Sequence, residues 1–116
     1  MPRRADARSR SAALEGSAPV FAALGDETRL RLVARLGTSG PLSIARLTAG
    51  TDVTRQAVTK HLEVLAAAGL ASGVRRGRER LWALEPEQLQ EARRCLDLIS
   101  QRWDERLGRL KEIVER

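Results

Sequence analysis

The chain is poor in aromatic residues. It has no tyrosine, one phenylalanine and two tryptophans in 116 residues. Any core must therefore be filled by Leu, Val, Ile and Ala. A single cysteine, Cys95, excludes an internal disulfide framework. No apolar run approaches the ~18 residues that a membrane span needs. The opening segment, residues 1–17, is basic and rich in small residues but lacks the apolar stretch of a secretory signal, so the expected location is the cytoplasm, at the nucleoid. Lysine is scarce too: Lys60 and Lys111 stand against 19 arginines. With so much Ala and Gly, that bias speaks for a GC-rich genome as much as for function. There is no Ser/His/Asp set, no phosphate-binding loop and no evident catalytic partner for the lone His61, so an enzyme is the weakest class.

What is present fits one modest domain and is too short for two. Apolar residues make up 42%, and the net charge is +6. A basic balance suits a polyanionic partner, and its distribution says more than its total. Residues 54–80 carry an excess of four positive charges, residues 1–16 an excess of two, and residues 86–116 none.

Residues 1–16 read as a disordered basic arm, polar and without periodicity. Pro19 suits the first turn of a short helix over 19–24, with Val20, Phe21 and Leu24 inward and Gly25 ending it. Asp26 is a good N-cap for a second helix, whose apolar face is Leu30, Val33, Ala34 and Leu36 and which Gly37, Gly40 and Pro41 end. Ser43 caps a short third helix with Ile44, Ala45 and Leu47 inward, stopping near Gly50. The clearest helix is 54–68. Thr54 is its N-cap candidate, Val58, Leu62 and Leu65 form one buried stripe, and Gly69 ends it. Arg55, Gln56, Thr59, Lys60 and Glu63 occupy its polar face. Two extended runs, 70–75 and 79–84, flank a tip of Arg75, Arg76, Gly77 and Arg78 and read as a β-hairpin. Trp82 is expected at the base of that hairpin.

Pro86 opens a last helix that can run almost to residue 116. Leu89, Ala92, Leu96, Ile99, Trp103, Leu107, Leu110 and Val114 recur every three or four residues, close to a heptad seam. At ~1.5 Å per residue the helix is roughly 44 Å long, more than so small a domain needs. The excess calls for a partner helix, with Trp103 as an anchor. Gly108 within it should cost up to ~1 kcal/mol unless it permits close packing.

Three helices, a polar-faced fourth, a hairpin and a long helix make a mainly α winged helix-turn-helix, with 17–85 as its DNA-binding part and 86–116 for dimerisation. Residues 21–32, Phe-Ala-Ala-Leu-Gly-Asp-Glu-Thr-Arg-Leu-Arg-Leu, resemble the opening of ArsR-type repressors. Residues 54–70 resemble the recognition helix of that family, and Arg76-Gly-Arg-Glu-Arg-Leu-Trp82 resembles its wing. The resemblance covers about 18–85 in register. It implies a homodimer built by the first and last helices, with Phe21, Leu89, Leu96, Ile99, Trp103, Leu107 and Leu110 at the interface. It also implies repression of the chain's own operon and release by an inducer, which the sequence does not name. The metal sensors of the family carry a Cys-x-Cys pair before the turn, or Asp and His on the last helix. Here the first region reads Ser43-Ile-Ala-Arg-Leu-Thr-Ala-Gly50, and the last helix has no His. With one His and one Cys neither usual site can be built, so the resemblance is to the metal-independent branch, and no cofactor is expected.

The expected partner is double-stranded DNA on a palindromic operator. The major groove accepts one helix, and Arg55 and Gln56 are suited to guanine and adenine edges. Thr59 suits a thymine methyl or a phosphate, and Lys60 a phosphate. The helix N-termini at Ser43 and Thr54 can offer N–H groups to phosphates. Arg75, Arg76, Gly77 and Arg78 would place the wing on the backbone or in a narrow minor groove. Three plainer readings stay open: a solvated helix face, wing arginines that only add solubility, and a winged helix that binds protein. A sensor with an unusual ligand site is a further alternative. His61 falls at the edge of the buried stripe and is expected as a packed, hydrogen-bonded residue; Cys95 is expected as a small, half-buried apolar one.

Overall fold

The computed structural model describes residues 14–115. The order is α1 (14–24), α2 (Glu27–Ser39), β1 (Leu42–Ser43), α3 (Ile44–Ala49), α4 (Arg55–Ala67), β2 (Ala71–Arg76), β3 (Glu79–Leu84) and α5 (Pro86–Glu115). This is the expected winged helix-turn-helix, and among the described residues no helix is long and apolar enough to cross a membrane.

Capping sets the helix boundaries. Asp26 accepts a hydrogen bond from the Arg29 amide at 3.0 Å, Ser43 from the Arg46 amide at 3.3 Å, and Thr54 from the Ala57 amide at 3.2 Å. Each side chain satisfies one of the unpaired amides that open a helix. At the other end of α4 the chain reverses through Gly69 at φ +77°. The Leu70 amide bonds the Leu65 carbonyl and the Gly69 amide bonds the Ala66 carbonyl, the two bonds of a Schellman motif. Leu70, read from the sequence as the start of the hairpin, is thus the buried residue that closes α4.

Several expectations are corrected. Helix α1 already includes residues 14–16, assigned above to the arm; residues 1–13 of that arm lie outside the described residues. Pro19 consequently stands inside the helix rather than in its first turn, where it has no amide to offer the Glu15 carbonyl. In α2 the inward face is Leu32, Val33 and Leu36, while Leu30 and Ala34 face outward. The buried face thus includes Leu32, which the sequence reading left out. Gly37 lies within α2, and Gly40 at φ +76° is the cap that ends it. Ala45 is exposed, so Leu47 alone of α3 is fully buried. Arg35 donates to the Arg46 and Leu47 carbonyls, both at 3.1 Å, serving the C-terminal end of α3 from outside the helix.

The sheet has a third strand that the sequence did not announce. Its order is β1-β3-β2, all antiparallel, with Leu42 opposite Trp82 and Gly73 opposite Trp82 on the other side. Two residues are too few to show alternation, so β1 carries no sequence signal of its own. It nevertheless ties the α2–α3 connection to the wing. The core is a single cluster: Val20 and Ala23 of α1, Leu32, Val33 and Leu36 of α2, Leu42, Leu47, the Val58–Leu62–Leu65 stripe, Leu70, Ala71, Trp82 and Ala92. Phe21, Leu24 and Leu89 pack partly against it.

Candidate nucleic-acid interface

Helix α4 buries Val58, Leu62 and Leu65 and thereby turns its other side outward. Arg55, Gln56, Lys60 and Glu63 are exposed and Thr59 is half-buried. The Thr59 hydroxyl donates to the Arg55 carbonyl at 2.9 Å, so its methyl is the part left for contact. The Thr54 hydroxyl is engaged in capping, as is that of Ser43.

The position of α4 is held by a polar clasp. Arg29 donates through Nε to the Ala23 carbonyl at 2.6 Å, and its Nη1 lies 3.3 Å from Nδ1 of His61. For Nδ1 to accept, His61 must be neutral with its proton on Nε2. Asp26 Oδ1 lies 3.9 Å from the same nitrogen. The half-buried His61 is therefore hydrogen-bonded, as expected, and joins α4 to the end of α1 and the start of α2. The Arg29 amide bond holds the Asp26 carboxyl below the ordinary carboxylate range, with the nearby charge of Arg29 adding to it.

The wing turns at Gly77–Arg78. Arg76 pairs with Glu79, so the loop has two residues, and Gly77 at φ +64° is the only one with positive φ. Glycine at the first central position is the requirement of a type II′ turn. Arg75, Arg76 and Arg78 are exposed at this tip.

One cleft brings the wing, α3 and α4 together. Its wall is Arg55 and Thr59 of α4, residues 43–45 at the start of α3, and Arg78, Glu79, Arg80 and Trp82 of the wing. Ser43, Arg55, Thr59 and Arg78 were expected at a common surface; Gln56, Lys60, Arg75 and Arg76 lie outside the cleft. Arg80 is the residue sequence reasoning missed. Strand alternation was the available signal, because Arg80 and Trp82 share one face of β3.

The long helix behaves differently. Only Ala92 and Cys95 of α5 are buried. Leu96, Ile99, Trp103, Leu107, Leu110 and Val114 are exposed, Trp103 at 59% and Val114 at 76%. Cys95 is more deeply enclosed than the half-burial expected of it. Among the described residues no group of three or more His, Cys, Asp or Glu side chains gathers in one place.

A helix-turn-helix domain family matches residues 24–74. The HTH-type transcriptional regulator Rv2034 of Mycobacterium tuberculosis is 40% identical over 93 residues, covering 80% of this chain and 83% of that protein. An HTH-type regulator of Bacillus subtilis, YuzN, is 37% identical over 76 residues, covering 60% of this chain and 83% of that one. Among solved structures, an ArsR-like transcriptional regulator from Rhodococcus sp. RHA1 superimposes with a TM-score of 0.74 at 39% identity, covering 86% of this chain and 93% of that chain. With the fold, the recognition-helix pattern and relatives of this coverage in agreement, the chain belongs to the ArsR family of winged helix-turn-helix transcriptional regulators.

Proposed function

We propose that this chain is a sequence-specific double-stranded DNA-binding repressor that acts in the cytoplasm as a homodimer on a palindromic operator and regulates its own gene. The observation that carries the reading is the joint surface of α4 and the wing, which presents Arg55, Thr59, Arg78 and Arg80 around one cleft. In this reading Arg55 and Gln56 read base edges from the N-terminal turn of α4, and Lys60 meets a phosphate. Arg75, Arg76 and Arg78 hold the backbone through the wing. Ser43 and Thr54 serve as caps that place the first turns of α3 and α4 against it.

The homodimer is supported by the apolar stripe of α5. Eight large apolar side chains from Leu96 to Val114 stand in water in the single chain, six of them on the stripe. A second copy supplies an identical stripe, and Phe21 of α1 lies on the partly buried side of the first helix, available to extend that interface. The absence of the usual Cys and His pattern supports a place in the metal-independent branch, with an inducer, where one exists, of another chemistry.

The test is fluorescence anisotropy with the duplex upstream of the chain's own gene against a random duplex at two salt concentrations. Tenfold or greater preference for the upstream duplex is the expected result. Salt-sensitive binding with no preference overturns sequence-specific autoregulation. Arg55→Ala or Gln56→Ala should reduce the preference itself, and Arg76→Ala or Arg78→Ala should weaken both duplexes alike.

A further inference from the structure

Arg80 was not part of the expected wing tip, and its surroundings are unusual. Its guanidinium carbon lies 5.0 Å from the centre of the Trp82 ring. On the neighbouring strand it passes over Gly73: a Cβ built there would come within 2.8 Å of Arg80 Nε and 3.1 Å of Nη2. Glycine at 73 is what lets the side chain lie flat across the sheet. Directly opposite Arg80 in the register stands Arg75, a like charge on the same face. The folded wing therefore stacks one guanidinium on Trp82 and presents it to the cleft with Arg55, Thr59 and Arg78. Glu79 is the single carboxylate on the cleft wall, and it stands opposite Arg76.

We infer that Arg80 is a pre-positioned phosphate anchor: Trp82 and the space over Gly73 hold its guanidinium so that one backbone phosphate of DNA is bound in the cleft between the wing and α4. This rests on the DNA-binding reading above but not on the operator or on sequence preference, because phosphate contacts are independent of sequence. An ordered arginine loses less freedom on binding than a free one, and a planar guanidinium suits the two oxygens of a phosphodiester. A phosphate in the cleft also lies beside Arg55 and Arg78, whose positive charges add to that of Arg80.

The experiment is the salt dependence of binding to a random duplex, for the wild type and three variants. Arg80→Gln should weaken binding about tenfold and reduce the slope of log K against log salt by ~0.9, the value of one phosphate contact. Gly73→Ala keeps every charge but intrudes on Arg80, and should lower affinity several-fold. Arg31→Gln removes one exposed charge from α2 and should leave the slope unchanged, which separates local contact from net charge. Thermal unfolding of each variant checks that the fold is retained. An unchanged slope in Arg80→Gln overturns the anchor. So does Gly73→Ala with wild-type affinity. A failure of the wild type to bind any duplex overturns the wider DNA-binding reading instead. Inorganic phosphate at matched ionic strength is the last arm: competition with the duplex that is lost in Arg80→Gln is expected, and phosphate that binds at Arg80 without displacing the duplex marks a free-anion site and overturns assignment to DNA.

Discussion

Leu62 and Leu107 are the same residue on two helices of one small protein. Leu62 has no exposed surface, and Leu107 is 45% exposed. Up to Cys95 the chain buries its apolar stripes within itself: α1, α2 and α4 each contribute an inward face, and β1 and β3 close the layer beneath the wing. From Leu96 onward the spacing of apolar residues is as regular, yet no side chain of the described helix is buried. Pattern alone does not tell a core face from an interface face. What separates them is whether the remaining chain can reach, and nothing among the described residues folds back over the distal half of α5.

Substitutions in the two regions should act on different properties of the protein. Leu62→Ala should destabilise the fold by about 2–5 kcal/mol, because its neighbours cannot close the cavity; chemical denaturation measures it. Leu107→Glu together with Leu110→Glu should instead abolish association while leaving helical content and the core intact. Sedimentation would show monomers at concentrations where the wild type is paired. If association is unaffected, the distal stripe is not the dimer seam. Trp103→Ala alone should weaken the pair by about 2 kcal/mol, the scale of an interface anchor. The melting temperature of the wild type should rise with protein concentration and that of the double variant should not. Gly69→Ala forces a side chain into φ +77° and toward Gln88 Cγ at 2.9 Å. It should cost about 1–2 kcal/mol from the body of the protein and leave pairing untouched. The smallest effect is a pH dependence. The Asp26 carboxyl titrates below its unfolded value, so its contribution to stability is present above the ordinary carboxylate range and is lost as pH falls through the lowered value. Asp26→Asn keeps a capping oxygen and should flatten that acid limb in a denaturation series.

Much of the architecture was readable because local rules were strong. Asp26, Ser43 and Thr54 cap the helices where capping chemistry put them, and the Val58–Leu62–Leu65 stripe is buried throughout. Other features had no local signal. Strand β1 exists because β3 has a free edge and Leu42 an apolar side chain beside it, which is a property of the assembled sheet. Leu32 rather than Leu30 faces inward because both a Leu30-based and a Leu32-based stripe fit the helical period, and only packing against α1 and α4 chooses between them. At the candidate interface the α4 face and the wing tip were legible from charge. Arg80 was not, since its role depends on the ring of Trp82 and on the missing Cβ of Gly73 across the strand.

The junction between the wing and α5 has a mechanical consequence. Only Glu85 separates β3 from α5, its amide is bonded to the Leu70 carbonyl at 2.9 Å, and its carboxylate accepts from Ser72 at 2.5 Å. The apolar stripe from Leu89 to Val114 completes seven turns in 25 residues, about 3.6 per turn, so the helix has little reason to coil and can act as a straight rod. A rod of about 45 Å pinned at one end is a lever. In the proposed homodimer, a tilt of about 5° between two such helices would displace the far end of each by about 4 Å. Because the pin is also the root of the hairpin, the same tilt re-aims the wing. In the proposed homodimer, a molecule wedged between the two α5 helices would thus change the distance between the two DNA-facing halves without touching either α4.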